Sequence, residues 1–369
     1  MKKQLDCATE FEIYKARINV LMSRILIEEE NPYRNIGAFV EDDGRTIYLY
    51  RVPSEESTIE PSAVWVRNLQ PAPTEADDAP LDGVAPLMTA ESCAHPEGLP
   101  SFDPADLDLI WFPDGTGVTL YVNGEVEAIL PPWAGHDFVH GYAKEAVAYS
   151  QSTIPLPRAK SELYNRLKDN QEFWNRRTST NDWSNYRDSM IEWYESFLGK
   201  HSQYYAVEQS VPMLGVIQFN NPKCEIATPK STSAGNPSVF VTIGMGRQPQ
   251  PGIEMYHENP DSVLHTEVLC YFPNATQQTA SILGRIAAYP WKTGRFFDDS
   301  HIYESGYTDQ VSDFFFTANH SNAGWPEIPT APLLDDRYTI RPLFAVPVSQ
   351  DDILVARSKS VEYRLKRLF

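Results

Sequence analysis

Residues 107–130, LDLIWFPDGTGVTLYVNGEVEAIL, contain the strongest hairpin signal in the chain. Short apolar runs flank Asn123-Gly124, a dipeptide that accepts the positive φ angles of a two-residue turn. These runs predict strands at 107–112, 117–122 and 126–130, joined in sequence order. We therefore expect a compact antiparallel sheet in the first part of the chain.

The residues before this sheet predict a second hairpin and a helix. Asp43-Gly44 separates two strand-like runs and a third run follows, which predicts strands at 36–40, 46–52 and 63–69. Residues 9–27 carry apolar side chains at every third or fourth position, which predicts an amphipathic helix. Residues 70–106 are rich in proline and acids and show no period, so we expect a long exposed loop.

The residues after the sheet predict a second domain. Ile154-Pro155-Leu156-Pro157 is typical of an extended linker. Helices are predicted at 161–177, 183–197 and 276–289 and from about residue 350, and strands at 211–219, 239–245, 264–272 and 340–348. Helices and strands do not alternate strictly, which favours a mixed sheet. We therefore predict an α+β fold with two mixed α/β domains, residues 1–155 and 156–369, whose antiparallel or mixed sheets are flanked by helices.

The composition limits the classes of partner. The chain has 369 residues, with 50 acids against 31 bases and a formal net charge of −19. This charge repels phosphate groups, so we expect no binding to nucleic acids or anionic membranes and favour a basic partner. No apolar run approaches the about 20 residues of a membrane helix, and the first residues lack the apolar core of a signal peptide. The four cysteines are scattered without CxxC spacing, which predicts reduced thiols in a cytoplasmic protein rather than disulfides or structural zinc.

His136, Asp137 and His140 invite a metal-site hypothesis, because imidazole and carboxylate groups suit zinc or iron. Two observations weaken it. The adjacent His136 and Asp137 cannot easily share one metal, and the segment has no HExxH order. We favour an exposed or hydrogen-bonded turn and predict no metal and no cofactor.

His301 lies near Asp298 and Asp299 in sequence, as a general base oriented by a carboxylate would. A nucleophile is the missing member, since the chain has no GxSxG segment and no cysteine with a neighbouring histidine or cationic context. A structural pairing of His301 is the favoured interpretation. A hydrolase or metal-dependent enzyme using His301 with Asp298 or Asp299, or His136 with His140, remains the alternative.

Gly244-Met245-Gly246-Arg247 follows a predicted strand and is similar to the start of a phosphate-binding turn, in which backbone amides surround an anion. The rest of such a motif is missing. Pro249 and Pro251 remove amide donors from the following turn. We therefore favour a glycine-dependent exit from the strand.

Residues 289–301 are the best candidate for a binding surface, because they combine large aromatic rings, an arginine and a predicted turn. Trp, Tyr and Arg are the residues that contribute most to protein interfaces. The candidate binding residues are Tyr289, Trp291, Arg295, Phe296, Asp298 and His301. The alternative is that Trp291 and Phe296 cover the core.

The order of motifs in the second half resembles the suppressor of fused family. The landmarks appear as Val241-Thr242-Ile243-Gly244-Met245-Gly246, His265-Thr266-Glu267-Val268, Ala288-Tyr289-Pro290, 294–302 and Phe344-Ala345-Val346-Pro347-Val348. The first half resembles bacterial members of the family in 109–115, 123–126, 129–133 and 141–143. The chain departs from the family pattern at Gly246, where serine is usual, and at His265, where arginine is usual.

The resemblance implies an interaction protein rather than an enzyme. Animal members of the family are regulators in Hedgehog signalling that hold a short peptide of Gli transcription factors as an extended strand between two domains. Bacterial members often occur with polymorphic toxins and are thought to act as immunity proteins. We therefore expect a non-enzymatic regulator that binds a protein or peptide, with a basic toxin or regulatory protein as partner, and leave the oligomeric state open.

Overall fold

The chain is seen here as a computed structural model, which describes residues 23–75, 84–136, 140–159, 161–228, 237–273, 275, 278–305, 313–334 and 338–369. It forms two compact units. The first consists of Met1–Arg176, Glu254–Tyr256 and Trp291–Gly294, and the second of Arg177–Ile253, His257–Pro290 and Arg295–Phe369. The domain division after residue 155 stays a prediction.

The described part of the first unit contains two sheets and an α-helix. The first sheet, in the order β1-β2-β3-β4, is antiparallel and consists of β1 (Arg24–Glu30), β2 (Ile36–Asp42), β3 (Thr46–Pro53) and β4 (Ser62–Asn68). The second, in the order β5-β6-β7-β8-β9, consists of β5 (Leu107–Trp111), β6 (Val118–Val122), β7 (Glu125–Leu130), β8 (Tyr142–Ala143) and β9 (Ile154–Pro155). Helix α1 spans Ser161–Arg177.

Both hairpins of this unit are confirmed. Asn123 and Gly124 have φ angles of 52° and 78°, and the strands they join meet with Val122 opposite Glu125. A left-handed conformation at both turn positions is what the Asn-Gly dipeptide accepts at low cost. Gly44, with a φ angle of 78°, turns the chain between β2 and β3 in the same unit.

Two predictions for the first unit are wrong in part. Most of the predicted helix at 9–27 lies outside the described residues, but residues 24–27 belong to β1 and pair with β2. The stabilisation from pairing with β2 outweighs the helical preference that the apolar period indicated. The predicted exposed loop is also partly internal, because Met88 is buried and Asn68 accepts a hydrogen bond from its backbone amide at 3.0 Å.

The core of the first unit forms where α1 covers the second sheet. Leu163 and Leu167 pack with Phe112 and Ile129 in one buried cluster. Two turns beyond Leu167, the indole Nε1 of Trp174 donates to the backbone oxygen of Trp111 at 2.8 Å. The apolar stripe that predicted this helix is therefore the face that it buries.

Asn170 interrupts this apolar stripe of α1. It is 1% exposed, and neither its amide oxygen nor its amide nitrogen has a hydrogen-bond partner among the described residues. An unpaired buried polar group costs about 1–3 kcal/mol. We expect Asn170→Leu, which keeps the branching and the number of heavy atoms, to raise the free energy of unfolding by about 1–2 kcal/mol in urea denaturation. Gln171→Leu, an exposed neighbour, should change it by less than about 0.5 kcal/mol, and an equal effect of both variants would contradict the prediction.

The second unit is built on a mixed seven-stranded sheet in the order β10-β11-β12-β13-β18-β15-β14. Its strands are β10 (Gln203–Glu208), β11 (Leu214–Asn220), β12 (Ser238–Ile243), β13 (Thr266–Phe272), β14 (Ile302–Glu304), β15 (Asp313–Thr317) and β18 (Arg341–Val348). Strands β13 and β18 run parallel and the other neighbours antiparallel. A separate small hairpin joins β16 (Leu333–Leu334) and β17 (Tyr338–Thr339).

Helices flank this sheet, which confirms the α+β class. They are α2 (Thr180–Leu198), α3 (Thr279–Thr293), α4 (Gln350–Ser358) and α5 (Val361–Leu368). The aromatic stripe of α2, including Tyr186, Met190 and Trp193, packs in the main core with strand residues and with the last two helices. None of the helices in the described part of the chain is long and apolar enough to cross a membrane.

Candidate binding site

The segment that follows α3 returns to the sheet through an aromatic cluster. The ring of Tyr289 stacks on Phe297 at a centroid distance of 5.3 Å and meets the edge of Tyr303 at 5.1 Å. Phe297 in turn stacks on Phe316 of β15 at 4.5 Å. Arg295 is exposed, and its Nη1 donates to the hydroxyl of Tyr289 at 3.2 Å. The segment is thus fixed beside β14.

Strand β14 is one edge of the seven-stranded sheet. The carbonyl of His301 accepts a hydrogen bond from the backbone amide of Phe316 at 2.9 Å, so it points towards β15. Because successive residues of a strand alternate in direction, the N–H and C=O groups of Ile302 and Glu304 point away from β15. No strand in the described ranges pairs with that side.

Asp298 is held by the side chains of Arg341 and His257. Its carboxylate accepts from Nη1 of Arg341 at 2.6 Å and lies 2.8 Å from Nε2 of His257. Burial alone would raise the pKa of Asp298, but the hydrogen bonds from Arg341 and from the backbone amide of Asp299, with the charges of Arg341 and His257, together lower it. Asp298 therefore stays ionised and serves as the anchor of this loop.

The structure does not bring the carboxylate of Asp298 or that of Asp299 to the imidazole of His301. Its Nδ1 accepts a hydrogen bond from the backbone amide of Asp298 at 3.2 Å. The carboxylate of Asp299 instead accepts from the hydroxyl of Thr317 and the amide of Ala318, both at 2.9 Å. The acid–base pairs considered from the sequence are therefore not formed, because both carboxylates satisfy other donors of the loop and sheet.

Two aromatic candidates have different environments. Trp291 is 2% exposed and lies in the first unit, where its ring is 6.0 Å from that of Tyr33. Phe296 is half-buried and packs between the imidazole rings of His257, at 6.0 Å, and His301, at 5.3 Å. Phe296 lies near β14 and packs against the buried cluster of Ile253, Val263 and Leu264, and Trp291 is a core side chain.

The second alternative from the sequence concerned His136 and His140. The ring of His136 lies 5.8 Å from that of Tyr256, and burial lowers the pKa of His140. Asp137 lies outside the described residues. Within the part of the chain that the structure describes, no group of three or more His, Cys, Asp or Glu side chains is placed to hold a metal ion.

The turn at Gly244-Met245-Gly246-Arg247 does surround a carboxyl group, but this group belongs to the chain's own Glu267, whose pKa burial raises. The amides of Gly244 and Gly246 donate to Oε1 of Glu267 at 2.7 and 3.0 Å. Tyr186 donates its hydroxyl to the same oxygen at 2.6 Å, and Thr242 to Oε2 at 2.6 Å. The phosphate hypothesis is wrong, because an internal carboxylate already uses the donors that would hold a phosphate.

His265, the other position where the chain departs from the pattern it resembles, completes this buried network. It is 3% exposed, and its Nδ1 lies 2.9 Å from the backbone oxygen of Gly246, to which it donates. Its ring lies 4.7 Å from that of Tyr338. These landmark residues therefore stabilise the second unit.

The sequence pattern does not single out His257 or Arg341, although both bind Asp298. Each lies far from Asp298 in sequence and reaches it only through the tertiary fold. For Arg341 the one available signal was its own charge at the start of the otherwise apolar strand β18. His257, in an irregular segment, carried no signal.

Comparison with known proteins identifies the second half of the chain. Residues 216–369 match the sequence model described as Suppressor of fused protein (SUFU). No curated protein matches the chain. The chain is also similar to a crystal structure of a SUFU (suppressor of fused protein) homolog from Neisseria gonorrhoeae FA 1090, with 14% identity, 49% of this chain and 86% of that chain covered, and a TM-score of 0.33. The resemblance drawn from the motifs is thus confirmed over residues 216–369, the part of the chain that matches the suppressor of fused model.

Proposed function

We propose that this chain is a non-enzymatic regulator that binds a protein or peptide, and that an extended segment of the partner adds to the outer edge of β14. The observation that carries the proposal is the place of the candidate residues. Tyr289 lies near the end of α3 and contacts Tyr303 of β14, and Arg295 and Phe296 lie on the segment that follows α3. The match of residues 216–369 to the suppressor of fused model supports a binding protein as the class.

Strand addition suits the chemistry of this edge. The outward N–H and C=O groups of Ile302 and Glu304 can pair with a partner backbone, and side chains at the edge then select the sequence. Arg295 and the hydroxyl of Tyr289 offer polar contacts to a partner segment, and Phe296 offers an apolar contact. Aromatic and arginine side chains of this kind contribute most at interfaces.

The net charge of −19 favours a basic partner, whose association would be steered electrostatically and weakened by salt. A toxin neutralised by this chain in the cytoplasm of a bacterium is the specific form of the proposal. A cytoplasmic regulatory protein fits the same surface.

A proline at Glu304 tests the edge directly. Glu304 is exposed, and its amide points away from β15, so Glu304→Pro removes an outer donor and keeps the inner ladder. Glu304→Ala is the matched control, because both variants lose the ion pair with Arg357. Peptides of about 12 residues, selected on the wild-type chain from a random phage-displayed library, should bind Glu304→Pro about tenfold more weakly and Glu304→Ala within about twofold.

Affinities would be measured by isothermal titration calorimetry with the synthetic peptides, at low and at physiological salt. Equal binding to both variants would show that the edge of β14 is not used. A library that gives no saturable binder would count against peptide binding as a whole.

A further inference from the structure

A small cavity lies between α2 and the β16–β17 hairpin. Its volume is about 190 Å³. Asp182, Asn185 and Ser189 line it from α2, and Leu334 and Ile340 line it from the other side. The lining from α2 is thus mixed, with three polar side chains beside Tyr186 and Met190, and the opposite lining is apolar.

Asp182 is fixed at this cavity by two buried arginines. Its Oδ2 accepts hydrogen bonds from Nη1 of Arg177 at 3.4 Å and from Nη2 of Arg247. The side chains of Arg177 and Arg247 are only 2% and 1% exposed, whereas that of Asp182 is 26% exposed. The other carboxylate oxygen, Oδ1, has no hydrogen-bond partner among the described residues.

The charge of Asp182 is already balanced by the two guanidinium groups. A third cation would be repelled by them, whereas a neutral N–H donor can use the free lone pairs of Oδ1 without bringing another charge. A neutral donor is therefore the complement that this wall requires.

The size of the cavity limits what can occupy it. Clefts for drug-sized ligands measure roughly 300–1,000 Å³, so a volume of about 190 Å³ suits a single side chain. Met190 forms a fully buried apolar wall, and Leu333 at the rim is 54% exposed. A pocket with an apolar wall and a polar rim is the usual receptor for the anchor residue of a protein interface.

We propose that this cavity is an anchor pocket for one apolar side chain of a partner polypeptide, whose own backbone N–H donates to Oδ1 of Asp182. The proposal rests on the proposed function, that the chain binds polypeptides. It adds a second contact, separate from the edge of β14, and it states the chemistry of the residue that the partner must present.

N-acetyl-leucine amide is the simplest probe, since it carries the side chain and the N–H donor. It should shift the backbone amide resonances of Met190, Leu334 and Ile340 in ¹H–¹⁵N spectra, with a Kd on the order of 1 mM. N-acetyl-N-methyl-leucine amide keeps the terminal carboxamide but lacks the leucine's own N–H, and should bind about tenfold more weakly. N-acetyl-serine amide lacks the apolar side chain and should give no saturable shift.

A matched pair of variants locates the binding. Ser189 is exposed and lines the cavity, whereas Asp188 is exposed on the same helix and does not. Ser189→Trp should fill the mouth and abolish the shifts, and Asp188→Trp should leave the Kd within about twofold.

Three results would overturn the anchor pocket: no saturable shift with the leucine probe, equal binding of the N-methylated probe, or unchanged binding by Ser189→Trp. Each of these is distinguishable from failure of the proposed function. If the selected peptides still lose affinity for Glu304→Pro, the binding function stands without the pocket. If the selected peptides bind Glu304→Pro and Glu304→Ala equally well while the leucine probe binds the cavity, the pocket stands and the edge of β14 is not the site.

Discussion

Replacing Glu267 with leucine should lower the free energy of unfolding of the second unit by about 3–5 kcal/mol. Glu267 is fully buried and accepts hydrogen bonds from two backbone amides and two hydroxyl groups. Leucine would leave all four donors buried without a partner, and each such group costs about 1–3 kcal/mol if nothing replaces the carboxylate. Partial relaxation of the turn keeps the expected total below the sum of these costs.

Hydrogen–deuterium exchange measures this loss unit by unit, because protected amides in β12 and β13 report on the second unit and those in β3 and β6 on the first. The first unit should be unaffected. Glu192→Leu, an exposed acid on α2, is the control and should change stability by less than about 0.5 kcal/mol. A loss below about 1 kcal/mol for Glu267→Leu would mean that the donors find other partners.

The geometry of this network explains why glycine occurs twice in the turn. A Cβ atom at Gly244, whose φ angle is 106°, would lie 2.2 Å from the backbone oxygen of Met213. At Gly246 a Cβ atom would lie 2.9 Å from the hydroxyl of Tyr186, the group that donates to Glu267. The glycines therefore allow amides and carboxylate to meet, and this is why the segment has the pattern of an anion-binding turn without binding an external anion.

Local patterns predicted much of the fold. Helix α1 has the predicted bounds, and α2 is three residues longer at its start and one at its end than the predicted 183–197. Both carry a clear apolar stripe. Strands β14 and β15 were missed and assigned to an aromatic-rich loop. All five residues of β15 are buried, so it has no alternation of polar and apolar side chains to reveal it.

The candidate site shows the same limit. Its aromatic residues were found because they are adjacent in sequence, and the structure places Tyr289, Arg295 and Phe296 near the edge of β14. Trp291 could not be separated from them, because the direction of a side chain at the end of α3 depends on tertiary packing. The role of these residues in binding stays a prediction.

The cavity lined by α2 and the β16–β17 hairpin had no sequence signal at all. Asp182, Asn185 and Ser189 are ordinary polar residues on the solvent side of an amphipathic helix. They line a cavity only because a hairpin distant in sequence lies over them.

Replacing Arg51 with methionine should destabilise the first unit by about 3–5 kcal/mol. Arg51 is 1% exposed and binds backbone oxygens rather than a carboxylate. Its Nη1 donates to Thr116 at 2.7 Å, and its Nη2 to Ala134 at 2.7 Å and to Glu60 at 3.1 Å. Burial lowers the pKa of Arg51 to about 10, partly offset by the charge of Asp114, so the side chain is still cationic at neutral pH.

Methionine keeps the length and apolar stem of Arg51 and removes every donor, so the loss isolates the hydrogen bonds from the packing. Arg51→Lys keeps the charge, but a single ammonium group cannot reach three carbonyl groups in the directions that a planar guanidinium group can. We expect it to lower the free energy of unfolding by about 2–3 kcal/mol.

Arg24→Met is the control, because the side chain of Arg24 is 57% exposed and its pairing with Asp42 should be worth less than about 1 kcal/mol. Exchange rates in β3 and β6 should rise for the two Arg51 variants and stay unchanged in β12 and β13. If Arg51→Lys were as stable as the wild-type chain, the fork geometry would not be what joins β3 to the turns at Thr116 and Ala134, and the positive charge alone would account for the buried arginine.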